Sequence, residues 1–240
     1  MVVLVTGSSR GIGASTIKEF ASKGYDVVIN YRVSANEAYQ LQQDISKYNV
    51  KSLVVKCDIS NENDVKNMVD EVMRSFGTID ILVNNAGVAK DTTFEDQSVE
   101  DFKRTLDVNV IGTFLVSKYF GKIMYDNKSG SIVNISSTNG IDTTYVESID
   151  YDASKAGVIS LTKNLAKAFA PYVRVNTICP GWVNTKMNEN LDDDFKKREI
   201  DKILLGRFAE PEEIASVIYN VATAKYINDA VIRVDGGEKP

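Results

Sequence analysis

Short, almost wholly apolar runs alternate with helix-patterned stretches along the whole chain, and this constrains the fold more than any other feature. The runs are Val2–Thr6, Asp26–Tyr31, Ser52–Cys57, Ile79–Asn84, Ser131–Ser136, Val173–Ile178 and Ala230–Val234. They are rich in Val and Ile and show little polar alternation, as expected of parallel strands covered on both faces. Helices are expected between them. Ile12–Lys23 ends at Gly24 as a C-terminal cap. Glu37–Lys47 and Asp64–Phe76 follow, the latter behind Ser60 and Asn61 as caps. Ser98-Val-Glu-Asp101 reads as a capping box opening a long helix towards Met124. Another helix runs from about Tyr151 to Ala170, stopped by Pro171, and Glu212–Ala224 begins just after Pro211. The alternation predicts an α/β fold: one domain over 1–240, built on a doubly wound parallel sheet of about seven strands with helices on both faces.

Composition excludes several chemistries. Histidine is absent, which removes Ser-His-Asp and Cys-His devices and any His-ligated zinc. An enzyme of this sequence must take its acid or base from Tyr, Lys, Asp, Glu or Cys. Cys57 and Cys179 lie far apart in apolar runs and read as buried free thiols; no metal site is expected. The 28 basic and 33 acidic residues give a net charge of −5, a poor match to nucleic acid. Val2–Val5 is too short for a signal-peptide core, and no stretch approaches the ~20 apolar residues of a membrane span. A cytoplasmic protein without a membrane partner is expected.

The first strand runs directly into Thr6-Gly-Ser-Ser-Arg-Gly-Ile-Gly13 and then a helix. Small residues there let backbone N–H groups approach a pyrophosphate, and the helix N-terminus adds partial positive charge. In the first strand-to-helix turn of an α/β chain, such a loop points to a Rossmann-type dinucleotide site. The second strand bears on the choice of dinucleotide. It ends Asn30-Tyr31-Arg32, without the acid that accepts from a ribose 2′-hydroxyl. Arg10 and Arg32 are placed to bracket a 2′-phosphate instead, so NADP(H) is expected. Asp58 closes the third strand, where it could meet the adenine amino group, and Asn84-Asn-Ala-Gly87 closes the fourth beside the topological switch point.

Tyr151 and Lys155 stand four apart at the start of a helix and share a face. A neighbouring ammonium favours a phenolate, so the pair is a candidate acid/base for a carbonyl oxygen. Alone, Tyr-x-x-x-Lys carries little weight. Ser136-Ser137 at the preceding strand end changes that, because a hydroxyl there could hold the substrate oxygen beside Tyr151.

These motifs occur in one order: Thr6–Gly13, Asn84–Gly87, Asp107-Val-Asn-Val110, Ser137, Tyr151-Asp-Ala-Ser-Lys155, Pro180-Gly-Trp-Val-Asn-Thr185 and Val234-Asp-Gly-Gly237. In that order they resemble the classical short-chain dehydrogenase/reductase family over essentially the whole chain. The nearest likeness is to its bacterial 3-oxoacyl-[acyl-carrier-protein] reductases. The resemblance implies a catalytic set of Asn109, Ser137, Tyr151 and Lys155. Tyr151 would exchange the proton with the substrate oxygen and Ser137 would orient that oxygen. Lys155 would bind the nicotinamide ribose and lower the Tyr151 pKa. Asn109, near a helix kink, would hold a water linking Lys155 to solvent. Cofactor contacts are implied at Gly7, Ser9, Arg10, Gly11, Ile12, Gly13, Arg32, Asp58, Ile59, Asn85, Ala86, Gly87, Tyr151, Lys155, Pro180, Gly181, Val183 and Thr185. Ser137 lies fourteen positions before Tyr151, one more than the family's spacing, which leaves Ser136 and Thr138 as alternative partners.

Substrate contacts are expected from 138–150, a polar loop carrying three acids, and from a lid over 186–206. In the lid, Met187, Leu191 and Phe195 recur at helical spacing. An acyl carrier protein is acidic, so its reductase should present basic residues. Lys122 and Lys128 qualify, whereas Arg174 falls within a strand. The alternative substrate is a small polar ketone, a sugar or a polyol. A non-catalytic nucleotide sensor on the same fold is a more remote reading, disfavoured by the intact Ser-Tyr-Lys set. The resemblance also implies a homotetramer packed through helices 98–124 and 151–170, with Gly112, Phe114, Phe120, Val158, Leu165 and Phe169 as candidate contacts.

Overall fold

A computed structural model describes every residue except Met187, Asn190 and Pro240. The described residues form seven parallel strands: β1 (Val2–Val5), β2 (Asp26–Tyr31), β3 (Ser52–Lys56), β4 (Ile81–Asn84), β5 (Gly130–Ile135), β6 (Val173–Pro180) and β7 (Val231–Val234). They lie side by side in the order β3-β2-β1-β4-β5-β6-β7. The order reverses between β1 and β4, which opens a crevice at their carboxyl ends.

The helices are α1 (Gly11–Ser22), α2 (Ala35–Ile45), α3 (Glu62–Phe76), α4 (Val99–Leu106), α5 (Thr113–Asp126), α6 (Ile149–Ala168), α7 (Asp193–Lys202) and α8 (Pro211–Thr223). Side chains alternate across a strand, so β1 feeds two cores. Val2 and Leu4 pack with Val65, Met68, Val116 and Phe120 from α3 and α5. Val3 and Val5 pack with Ile17, Phe20, Leu41 and Ile218 from α1, α2 and α8. Burial on both faces is the physical reason these runs contain so few polar residues.

Local signals set most helix ends. Asn61 caps α3 by accepting from the N–H groups of Asn63 and Asp64, and Gly77 closes it with φ of +71°. Ser98 accepts from the Asp101 N–H at the start of α4. Glu210 and Glu213 form a capping box around Pro211 at the start of α8.

The structure departs from the sequence reading in three places. The long helix expected from 98 to 124 is two helices joined by a wider turn over Asp107–Gly112, which re-aims Asn109. The helix carrying Tyr151 begins at Ile149, so Tyr151 sits in its first turn. In the lid, Asp192 caps a helix that starts only at Asp193, so Leu191 and Phe195 do not share a helical face; Met187 lies outside the described residues. Of the residues suggested for subunit packing, Gly112, Phe120, Val158 and Leu165 are buried within this chain. Their apolar character is explained by the core; Phe114 and its neighbour Ile111 remain exposed, at 42% and 45%. Among the described residues no helix is long and apolar enough to cross a membrane.

Candidate active site

The loop after β1 is held by side chains from three strand ends. Gly7 N donates to Asn30 Oδ1 at 2.9 Å, and Asn30 N donates to Ser8 Oγ at 3.0 Å. Thr6 Oγ1 accepts from the N–H groups of Asn85 and Ala86 at 3.0 and 3.1 Å. Asn85 Nδ2 returns bonds to the carbonyls of Thr6 and Gly7. Gly7 has φ of +60°, and a Cβ there would stand 2.8 Å from Ala86 Cα, so only glycine fits. Arg10, at the N-cap of α1, makes no side-chain cap. The first-turn N–H groups of α1 are therefore left without that partner, an anion-binding arrangement.

Arg32 Nη1 lies 3.4 Å from Asp58 Oδ2, and both side chains are partly exposed. Asp58 is held below the usual carboxylate range: burial opposes ionisation, but bonds from Ser60 and the Arg32 charge outweigh it. The two arginines stand at the rim of one cavity of about 750 Å³, which runs from the α1 loop past Asp58 and Gly87 to Ser137, Tyr151 and Lys155. Pro180, Gly181, Val183 and Thr185 line it as well. Two residues expected at the site do not line it. Gly13 is a packing position, since a Cβ would meet Asn85 Nδ2 at 2.6 Å and the Gly7 carbonyl at 2.8 Å. Asn109 lies one layer behind, where its carboxamide bonds the Val88 N–H, the Val88 carbonyl and Ser154 Oγ.

Lys155 is 4% exposed and donates from Nζ to the Ile135 carbonyl at 2.9 Å. Its ammonium lies 5.3 Å from the centre of the Tyr151 ring. Burial pushes the Lys155 pKa down to about 8. Burial pushes the Tyr151 phenol up to about 12, partly opposed by hydrogen bonding from Ser137. Of the three hydroxyls considered from the sequence, Ser136 is bonded to the Lys155 carbonyl at 2.8 Å and Thr138 to Glu238 at 3.3 Å. Ser137 lines the cavity with Tyr151, and its hydroxyl bears on the Tyr151 phenol by lowering its pKa. Both cysteines are buried free thiols, with Cys57 pushed up to about 12 and Cys179 to about 11 by burial.

Sequence reasoning named Phe195 and the 138–150 loop but not the pairings that hold them. Asn139 and Asp152 bond each other and tie down the loop that follows Ser137. Tyr145, Trp182, Phe195 and Phe208 form an aromatic cluster in which Trp182 stacks on Phe208. Tyr145 donates to Glu199 of α7 at 2.6 Å, and Lys202 pairs with the same carboxylate. The tail pairs with the end of the 186–206 segment through Leu205 N to Gly236 O and Lys239 N to Lys202 O. These partners are distant in sequence, and no local motif marks their pairing.

A switch-point cavity lined by a glycine loop at one end and by Ser137, Tyr151 and Lys155 at the other is the arrangement of an α/β oxidoreductase. The chain belongs to the short-chain dehydrogenase family, whose family model matches residues 1–196. Over nearly their full lengths it resembles two curated relatives named 3-oxoacyl-[acyl-carrier-protein] reductase. That of Aquifex aeolicus is 40% identical, and that of Synechocystis sp. is 38% identical; each match covers 98% of this chain and 96% of the relative. Among solved structures, a levodione reductase superposes with a TM-score of 0.94 at 31% identity, over 98% of this chain and 96% of that one. A short-chain type dehydrogenase/reductase from Mycobacterium marinum gives 0.93 at 32%, over 98% and 94%.

Proposed function

We propose that this chain is an NADP(H)-dependent carbonyl reductase whose substrate is a 3-oxoacyl thioester on an acyl carrier protein. The observation that carries the reductase reading is the convergence of Ser137, Tyr151 and Lys155 on a cavity that reaches the uncapped start of α1. Arg10 and Arg32 at its rim support a 2′-phosphate, and no acid stands at the end of β2 to repel one. The residues fit a dinucleotide: the glycine loop, Asp58 and Ile59 for the adenosine half, and Asn85–Gly87 and Pro180–Thr185 for the nicotinamide half. When bound, reduced nicotinamide supplies a hydride to the carbonyl carbon.

The chain's own residues manage the proton. A phenol with a pKa of about 12 is protonated at neutral pH, so Tyr151 is set as the acid. It gives its proton to the carbonyl oxygen as that oxygen gains negative charge. Ser137 orients the same oxygen. Lys155 faces the resulting phenolate, stabilises it, and passes a proton back, while Asn109, bonded to Val88 and Ser154, braces the chain behind the site. Residues 186–206 serve as the lid over the substrate.

The carrier-protein reading rests on the relatives' names. A second reading, a small polar ketone, sugar or polyol, has an observation in its favour. Arg174 is turned inward onto the carbonyls of Val221, Ala222 and Ile227, and Lys122 faces an acid of its own helix, Asp126, which weakens the basic surface offered to an acidic partner. We place the protein in the cytoplasm as a homotetramer, with exposed Ile111 and Phe114 among the subunit contacts. Sedimentation as a monomer at micromolar concentration would refute the assembly.

The test is NADPH oxidation with an acetoacetyl thioester beside a panel of sugars and small ketones. Thioester turnover that rises at low salt with carrier protein supports the first reading. Turnover confined to the panel supports the second, and none with any carbonyl overturns the reductase.

A further inference from the structure

We infer that Asn139 and Asp152 are positioning residues that fix the place of the Ser137 hydroxyl, an inference that rests on the catalytic reading above. The Asp152 carboxylate accepts from Asn139 Nδ2 at 2.6 Å, which settles how the Asn139 amide lies. A carboxylate cannot donate, so the NH₂ group must face Asp152 and the carbonyl oxygen must face Ser137. Ser137 Oγ accordingly donates its only proton to Asn139 Oδ1 at 3.0 Å. The Asn139 backbone N–H donates back to Ser137 Oγ at 3.2 Å. These two bonds hold Ser137 Oγ in place before substrate arrives, and a carbonyl oxygen bound beside Tyr151 then takes the Ser137 proton from Asn139 without moving Oγ.

Asp152 is itself fixed. Oδ1 also accepts from Ser148 Oγ at 3.1 Å, and Oδ2 accepts from the Tyr145 N–H at 3.1 Å. One carboxylate thus holds the loop at residues 139, 145 and 148, and it stands one residue from Tyr151. Ser136 and Thr138 are bonded elsewhere, so the orientation acts on Ser137 alone.

The test is a double-mutant cycle, measured with the carbonyl compound that wild type reduces fastest. Asn139→Leu keeps the size of the side chain and removes the acceptor. It should lower kcat about tenfold, the effect of one hydrogen bond that matters at the reacting group, while the NADPH dissociation constant is unchanged. Asp152→Asn, which frees the amide to turn over, should lower kcat by a smaller factor. In a Ser137→Ala background neither substitution should lower kcat further, because both act through that hydroxyl. Losses that multiply with Ser137→Ala would mean a general loop role and overturn the inference, as would a wild-type kcat in Asn139→Leu. If Asn139→Leu does not fold, Asn139→Ala carries the same cycle. The catalytic reading fails separately: it falls, and the inference with it, if Ser137→Ala and Tyr151→Phe retain wild-type turnover.

Discussion

Replacing Lys155 with methionine should stabilise the nucleotide-free protein while abolishing its activity. The ammonium is 4% exposed and its pKa is pushed down from 10.5 to about 8 by burial. That shift corresponds to ~3 kcal/mol of destabilisation by the buried charge. Methionine has a similar length and no charge. It forfeits the bond to the Ile135 carbonyl, which offsets ~1–2 kcal/mol. The net gain is ~1–2 kcal/mol, or a Tm rise of ~3–6 °C for a chain of this size. The sign can be followed with pH. Between about 8 and 10.5 the unfolded chain binds more protons at this residue than the folded one, so wild-type stability rises with pH across that window. The gap between Lys155→Met and wild type should therefore be widest at pH 7 and should close towards pH 10.5. Thermal melts followed by circular dichroism at pH 7 and pH 10, without nucleotide, measure both quantities. A variant that melts at or below wild type at pH 7, or a gap that does not narrow, refutes the claim that burial of this charge is costly.

Other substitutions probe other parts of the structure. Arg10→Ala and Arg32→Ala should each lower the NADPH-over-NADH preference about tenfold or more, read from kcat/KM with each nucleotide. An unchanged ratio in both would remove the phosphate role. Gly13→Ala should destabilise by ~1–3 kcal/mol in denaturant unfolding, because its Cβ would meet backbone at 2.8 Å. Arg174→Met should cost about 2 kcal/mol, seen as a lower Tm, because carbonyls at the end of α8 lose a charged donor. A Tm equal to wild type would mean those carbonyls find other partners.

The strands were legible because burial on two faces leaves no choice but apolar residues, and their parallel, doubly wound arrangement was expected from the alternation with helices. The phosphate loop was legible because a glycine with positive φ, Gly7, and an uncapped helix leave a compact local signature. The buried polar ladder of the central sheet left no such trace. Asn84 donates to Ser117 and Asn134, Asn134 to Thr162, and Thr177 to Thr162, linking β4, β5, β6, α5 and α6. Each partner is distant in sequence, and each residue reads locally as an ordinary polar interruption. The same holds for the Asn139–Asp152 clasp and for Tyr145 with Glu199, where the pairing depends on how a loop folds back. Spacing found the residues of a single helix face, such as Tyr151 and Lys155. It also suggested a lid face across Leu191 and Phe195 that the Asp192 cap interrupts.

The proton-transfer assignment is the centre of the account, and Tyr151→Phe tests it most directly. The variant keeps the ring that packs beside Lys155 and loses only the hydroxyl. NADPH binding followed by fluorescence, and NADPH oxidation with the best carbonyl substrate, should be measured on the same preparation. The expected result is wild-type NADPH affinity with turnover reduced ~10²–10⁴-fold. Turnover near the wild-type rate, with NADPH bound normally, would contradict it.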